Sequence, residues 1–198
     1  GPVFESATHG YDTLDHMHID VRLGGDAAFD QLVAACRDMG LQVMLDGVFN
    51  HVSRNHPAVQ AALDETAGRL NPADNPWHGL VRAHVGDNGE PALDVFEGHG
   101  DLVALDHSAD ETVDYVAHVM SHWLDRGAAG WRLDAAYAVP SPFWARVLPQ
   151  VKAAHPYSWI FGEVIHGDYP RIIEESTMDS ITQYELWKSI QHALETEN

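Results

Sequence analysis

The sequence is poor in cysteine and in basic residues, and each shortage excludes some kinds of site or partner. The single Cys36 among 198 residues excludes an internal disulfide and a metal site built from cysteines. Eleven lysines and arginines stand against 30 aspartates and glutamates, so the formal charge is −19 at pH 7. Because this charge repels phosphate backbones and anionic lipids, we expect no nucleic-acid partner and no membrane partner. A neutral, hydroxyl-rich ligand or a cationic ligand is favoured instead.

Long apolar runs and several catalytic motifs are also missing from the sequence. No run approaches the ~18 apolar residues that a membrane-spanning helix needs. The chain has no Gly-x-Ser-x-Gly motif, no phosphate-binding P-loop and no His-Glu-x-x-His pattern of zinc proteases. Hydrophobic residues make up 45% of the chain, which is enough for the core of one globular domain.

Helix-like and strand-like segments alternate along most of the chain. The spacing of apolar residues predicts helices at 26–40, 110–127, 141–154 and, more weakly, 170–175, and residues 186–198 are also predicted to be helical. Short apolar runs predict buried strands at 41–49, 130–136, 159–165 and 180–185. Asp26 is the predicted N-cap of the first helix. This alternation indicates an α/β fold with βα units around a parallel sheet.

Charged or polar residues stand at the ends of three predicted strands. Asp46 and His51 follow the first strand, Arg132 and Asp134 end the second, and Glu163 ends the third. In parallel α/β sheets and barrels the carboxyl ends of the strands meet on one side, where active sites are built. We therefore expect these side chains to converge.

Two of these residues form a carboxylate pair suited to glycoside hydrolysis. Arg132 and Asp134 are two apart on a strand and face the same side, so the guanidinium should keep the carboxylate ionised, as a nucleophile requires. Glu163 follows an apolar run, which predicts the raised pKa of a general acid. Adjacent strands lie ~4.8 Å apart, which matches the ~5–5.5 Å carboxyl separation of retaining glycosidases.

Four blocks of the sequence resemble the signatures of one enzyme family. They are residues 10–15 (GYDTLD) with 19–24 (IDVRLG), 46–51 (DGVFNH), 130–135 (GWRLDA) and 161–164 (FGEV). In order and spacing they resemble the α-amylase family of glycoside hydrolases, and the resemblance covers nearly the whole chain. It implies a (β/α)8 TIM-type barrel that cleaves α-glucosidic bonds with retention.

The resemblance also implies a role for individual residues. Carried over position by position, the nucleophile would be Asp134 and the acid/base Glu163. Substrate-binding or supporting roles would fall to Arg132, His51, Tyr11, Asp12 and Asp46. Asn50 matches the position of a calcium ligand in the family, although no cofactor is required by the two-carboxylate mechanism.

The resemblance is incomplete in two respects. The family's fourth signature, an Asn-His-Asp after the seventh strand, is absent, so the chain is predicted to be a central fragment with about strands 2–6 of the barrel. Its parts would be a partial barrel at 1–51, an inserted small subdomain at 52–108 and the rest of the partial barrel at 109–198. Tyr137 and Ala138 stand where α-amylases often carry Lys-His, which leaves the choice between α-1,4 and α-1,6 bonds open.

The sequence is compatible with several functions. The parent protein is expected to be a bacterial-type cytoplasmic α-glycosidase, and the isolated chain to be inactive and self-associating, because half a barrel exposes strand edges. Alternatives are an α-glucanotransferase of the same family and a non-catalytic glucan-binding fragment. His16 and His18 also have the His-x-His spacing of some metallohydrolases, in a stretch predicted as a loop.

Overall fold

The computed structural model describes residues 1–196, which form ten strands and six α-helices. The strands are β1 (Phe4–Ser6), β2 (Thr13–Ile19), β3 (Met44–Gly47), β4 (His51–Ser53), β5 (Ala83–Val85), β6 (Pro91–Leu93), β7 (Leu102–Ala104), β8 (Gly130–Leu133), β9 (Trp159–Gly162) and β10 (Ser180–Ile181). The helices are α1 (Gly25–Asp38), α2 (Pro57–Thr66), α3 (Asp110–Asp125), α4 (Ser141–Ala154), α5 (Tyr169–Ser176) and α6 (Tyr184–Thr196).

A four-stranded parallel sheet in the order β10-β9-β8-β3 lies at the centre of the fold. Each of its strands follows a helix, in the pairs α1–β3, α3–β8, α4–β9 and α5–β10. The predicted βα units and the partial (β/α)8-type fold are therefore confirmed. Gly130 opens β8 where a Cβ atom would lie 2.0 Å from the carbonyl oxygen of Trp159, so the close pairing of β8 with β9 requires glycine there.

The main apolar core lies between the parallel sheet and the helices beside it. Trp123 of α3, Trp131 of β8 and Trp144 of α4 are almost wholly buried in it. Each large aromatic side chain removes roughly 150–250 Å² from water, which makes such residues dominant contributors to the stability of a core. Packing of this core fixes the positions of the strand ends, and these ends carry the charged residues.

The first residues depart from the predicted pattern. β1 pairs with β2 in an antiparallel hairpin, whereas the sequence predicts the end of a buried strand at residues 2–4 followed by turns and a loop. His16, in the stretch predicted as a loop, is a fully buried residue of β2. Asp26 is not an N-cap, because α1 begins at Gly25 and the Asp26 carboxylate accepts from the backbone N–H of Ile19 and from Arg126.

Residues 51–108 contain strands β4 to β7 and a second, smaller apolar cluster. β4 pairs with β7 and β5 pairs with β6, both antiparallel. The cluster consists of Val52, Ala58, Val59, Ala62, Leu80, Val81, Val103 and Leu105. Its separate core is consistent with the division at residues 51 and 108, which stays a prediction.

The last helix, α6, starts two residues earlier than predicted, and residues 197–198 of the predicted helix lie outside the described residues. None of the α6 residues is buried, and its apolar side chains face solvent. Among the helices of residues 1–196, none has the length and apolar character to cross a membrane.

Candidate active site

The parallel sheet brings four charged residues to the carboxyl ends of three neighbouring strands. Asp46 of β3 is paired in register with Arg132 of β8, and Asp134 and Glu163 each come directly after their strand. The backbone N–H of Asp134 donates to the carbonyl of Gly47 at 2.9 Å, which extends the ladder by one residue. The predicted convergence of these strand ends is therefore observed.

The guanidinium of Arg132 lies among three carboxylates. Its Nη1 is 3.0 Å from Oδ1 of Asp134 and also bonds Oδ1 of Asp46, while its Nη2 is 2.9 Å from Oε1 of Glu163. Charge-assisted bonds of this kind are stronger than neutral ones. One side chain thus fixes the relative positions of both carboxylates of the predicted catalytic pair.

Burial has the largest effect on the pKa of Asp134. Loss of water raises the pKa of this carboxyl to about 6, Arg132 opposes the rise, and the charges of Asp46 and Glu163 add to it. Arg132 favours the ionised carboxylate, as predicted, but burial has the larger and opposite effect on the pKa, because the guanidinium is shared among three carboxylates while the Asp134 side chain is almost removed from solvent.

The environment of Glu163 is more polar than the preceding apolar run suggests. Its Oε2 accepts from the backbone N–H of Ala135 at 3.1 Å, and its Oε1 accepts from the hydroxyl of Tyr184 at 3.1 Å in addition to Arg132. The apolar setting that the preceding run suggests for this carboxyl is therefore not observed. The side chains of residues 159–161 alternate across the sheet and leave the carboxyl end of the strand to polar partners.

His51 and Tyr11 lie next to each other, as the resemblance implies. The Nε2–H of His51 donates to the carbonyl of Tyr11 at 3.0 Å, and Nδ1 of the same ring accepts from the amide of Asn50 at 3.0 Å. Burial lowers the pKa of His51 to about 4, so this imidazole is neutral at pH 7. The pKa of Tyr11 is raised by burial and by the charge of Asp46, which indicates that its hydroxyl is close to the carboxylate cluster.

Asp12 has a different environment from the other predicted site residues. Its buried carboxylate accepts from the hydroxyl of Thr8 at 2.6 Å and from the backbone N–H of His9 at 3.1 Å. Burial alone would raise its pKa, but these hydrogen bonds lower it. Asp12 therefore braces the loop that carries Tyr11 and has no bond to Arg132.

Asn50, the predicted calcium ligand, is buried, and its amide nitrogen bonds the ring of His51. Calcium takes about six to eight oxygen ligands, so a role for the side-chain oxygen of Asn50 as one of them stays a prediction. Within residues 1–196, no group of three or more His, Cys, Asp or Glu side chains is arranged to hold a metal ion.

Three residues near the site are not predicted by the sequence. Tyr184, at the start of α6, bonds Glu163, and Phe96 stacks on the ring of His51 with centroids 4.9 Å apart. Glu97 accepts from the hydroxyl of Tyr137 at 3.0 Å and has a positive φ of 47°. Phe96 and Glu97 come from the inserted segment, and periodicity carries no signal for a contact so distant in sequence.

Comparison with known proteins gives a consistent result. The model of the family described as "Alpha amylase, catalytic domain" matches residues 1–198. A maltogenic alpha-amylase of Bacillus acidopullulyticus is 29% identical over 191 residues, which cover 96% of this chain and 32% of that protein. An intracellular maltogenic amylase of Bacillus subtilis (strain 168) is 30% identical over 171 residues, which cover 85% of this chain and 28% of that protein.

A solved structure agrees with these relatives. The cyclic alpha-maltosyl-(1→6)-maltose hydrolase from Arthrobacter globiformis matches with a TM-score of 0.78 at 27% identity, over 92% of this chain and 41% of that one. Fold and relatives together define the class, part of a catalytic domain of the (β/α)8 type. The chain belongs to the alpha-amylase family. It spans about a third of the length of the two curated relatives.

Proposed function

We propose that this chain carries the catalytic pair of a retaining α-glycosidase that acts on α-glucans or on malto- or isomalto-oligosaccharides. The observation that carries the proposal is the position of Asp134 and Glu163 at the ends of adjacent parallel strands, bridged by Arg132. Neighbouring strands lie about 4.8 Å apart, which is nearer to the roughly 5–5.5 Å carboxyl separation of retaining enzymes than to the roughly 6.5–9.5 Å of inverting ones.

The reaction proceeds in two steps. Asp134 attacks the anomeric carbon while Glu163 gives its proton to the glycosidic oxygen, so the bond to the leaving sugar breaks and a glycosyl–enzyme ester forms. Glu163 then takes a proton from water, which attacks the same carbon and releases Asp134. Because the pKa of Asp134 is raised to about 6, the first step needs a pH high enough to ionise this carboxyl.

The remaining residues bind the sugar. His51 and Tyr11 line the pocket of the sugar at the cleavage point, and Asp46 and Asp12 brace it. The buried neutral ring of His51 and the nearby hydroxyl of Tyr11 suit a neutral ligand rich in hydroxyl groups. Residues 52–108 form the inserted subdomain, whose Phe96 contacts the pocket through His51.

A second candidate function is a non-catalytic glucan-binding fragment. It is favoured by the fact that the chain spans about a third of its relatives. We propose that the isolated chain is inactive and self-associating, and that the parent protein is cytoplasmic, as the name of the intracellular Bacillus subtilis relative supports. An α-glucanotransferase uses the same two carboxylates and differs only in the acceptor that replaces water.

The test places this chain in a hybrid protein that has a complete barrel. Residues 1–198 replace the matching segment of the Bacillus acidopullulyticus relative, and release of reducing sugar from maltooligosaccharides is measured beside the isolated chain. We expect the folded hybrid to be active and its Asp134→Asn variant to lose at least ~10³-fold in rate, since the nucleophile is gone. Glu163→Gln should lose maltooligosaccharide cleavage but keep formation of the glycosyl–enzyme from α-glucosyl fluoride, whose leaving group needs no proton.

Asp87→Asn is the control, because Asp87 is an exposed carboxylate of the inserted segment. A folded hybrid whose Asp134→Asn variant keeps near wild-type activity would refute the nucleophile assignment. Chain-lengthened products in place of free sugar would favour the transferase. A hybrid that folds and binds maltotriose without any turnover would favour the binding fragment.

A further inference from the structure

The backbone between β3 and β4 is held at four consecutive carbonyl groups. This segment joins Asp46 to His51, so its position sets both side chains. The acceptor–donor pairs are Gly47 O with Asp134 N at 2.9 Å, Val48 O with His16 Nε2 at 2.9 Å, Phe49 O with His107 Nε2 at 2.9 Å, and Asn50 O with Leu105 N at 3.1 Å. Three different parts of the chain thus fix one short segment.

Two of the four donors are buried histidine side chains. His16 is fully buried and His107 is 7% exposed. Because a carbonyl only accepts, each Nε2 must carry the hydrogen, and a neutral imidazole then has none on Nδ1. The hydroxyl of Tyr115 lies 3.0 Å from Nδ1 of His16 and donates to it, which fits the same tautomer.

The two rings contact the segment from two different parts of the chain. His16 belongs to β2, and His107 follows β7 in the chain. Directly beyond the carbonyls they bind, the amide of Asn50 donates to His51, whose Nε2–H donates in turn to Tyr11. A displacement of Val48 or Phe49 is therefore transmitted to the imidazole that faces the candidate sugar pocket.

We propose that His16 and His107 are positioning residues, which orient His51 by each donating one Nε2–H bond to the backbone of the β3–β4 segment. The inference rests on the proposed function only in the assignment of His51 to the sugar pocket. Burial lowers the pKa of both rings, that of His16 to about 4, so both are neutral near pH 7 and keep the required tautomer.

Packing alone is the alternative role for these rings. His16 stacks on Phe49 with centroids 5.3 Å apart, and His107 contacts the edge of Phe143 at 4.9 Å. Packing requires a ring of similar volume, whereas positioning requires an N–H at the place of Nε2. Gln carries an amide N–H at about that place and Asn, one methylene shorter, does not reach it.

The test uses the whole chain with nitrogen-labelled histidine and proton–nitrogen correlation spectra of the imidazoles. We expect the Nε2–H tautomer for His16, His107 and His51 in the wild type at pH 7. His16→Asn and His107→Asn should shift the His51 ring signals and weaken maltotriose binding roughly three- to tenfold, the net value of a buried hydrogen bond. The matching Gln variants should restore both, and His118→Gln, an exposed histidine of α3, is the control.

The outcomes separate this inference from the proposed function. A wild-type spectrum with His16 or His107 in the Nδ1–H tautomer overturns the positioning role even if no variant folds. Folded Asn variants with unmoved His51 signals overturn it as well. If the His51 signals respond as expected but the wild-type chain binds no maltotriose, the positioning role stands and the assignment of the sugar pocket fails.

Discussion

The single positive charge of Arg132 is shared by three carboxylates, so each carboxylate receives only part of its stabilisation. Asp134 receives only part of that charge and is buried, so its pKa is raised to about 6. The sequence identifies which groups are neighbours, because strand period and register follow from it. It does not reveal how much water each group keeps, and this is why the settings of Asp134 and Glu163 could not be predicted from spacing.

The raised pKa of Asp134 predicts a pH-dependent stability. The folded state holds this proton more tightly than the unfolded chain, where an aspartate has a pKa of about 3.9. The contribution to stability is therefore complete below about pH 4 and is lost as the pH rises through about 6. Between those limits the wild type should lose on the order of 1–3 kcal/mol more than Asp134→Asn, which cannot ionise.

Urea unfolding of both proteins at pH 4.5 and pH 8 measures this difference, with the exposed Asp87→Asn as the matched control. The comparison between variants removes the effect of other carboxylates that titrate in the same range. Equal losses of unfolding free energy in the wild type and Asp134→Asn would contradict the prediction.

The βα units of the sheet were predictable because a helix and a buried strand have different periods. The antiparallel hairpin of β1 and β2 was not, because β2 carries Asp15, His16 and His18 among its seven residues and resembles a loop. His16 is nevertheless buried, since both ring nitrogens find partners inside the protein. A polar residue in a strand can therefore be a core residue when its hydrogen bonds are satisfied.

The end of α5 offers a prediction about backbone strain. Thr177 caps this helix with φ 64° and ψ 19°, a left-handed conformation that disfavours a β-branched residue, and its side chain is exposed. Glycine adopts this conformation freely and is the usual residue after a helix. Thr177→Gly should raise the free energy of unfolding by about 0.5–1 kcal/mol, after the extra entropy of glycine in the unfolded chain is subtracted.

Thr177→Ala separates the backbone effect from the loss of the side chain. Alanine keeps the Cβ atom that causes the left-handed strain, so its gain should be clearly smaller than that of glycine. Thermal and urea unfolding of the three proteins provide the measurement. A glycine variant no more stable than the alanine variant would show that the surrounding loop relaxes the strain.

For the whole molecule, exposed apolar surface favours self-association, whereas the net charge opposes it. None of the α6 residues is buried, and Leu186, Trp187, Ile190 and Leu194 form an apolar face open to solvent. A helix of this length is marginal in water unless such a face is covered. The formal charge of −19 resists the approach of a second copy.

The exposed apolar face of α6 and the negative net charge together predict self-association that increases with salt. Screening shortens the reach of charge repulsion to about 10 Å at 0.1 M salt, while burial of the apolar face is almost unaffected. Light scattering of the chain should therefore give a mass above that of a monomer, rising from low to high salt. Ile190→Glu should return the mass to that of a monomer, whereas His192→Glu, which adds the same charge to the exposed side chain two positions further along α6, should not. A wild-type chain that stays monomeric at high salt would mean that the face of α6 is too small or too mobile to bind a second copy.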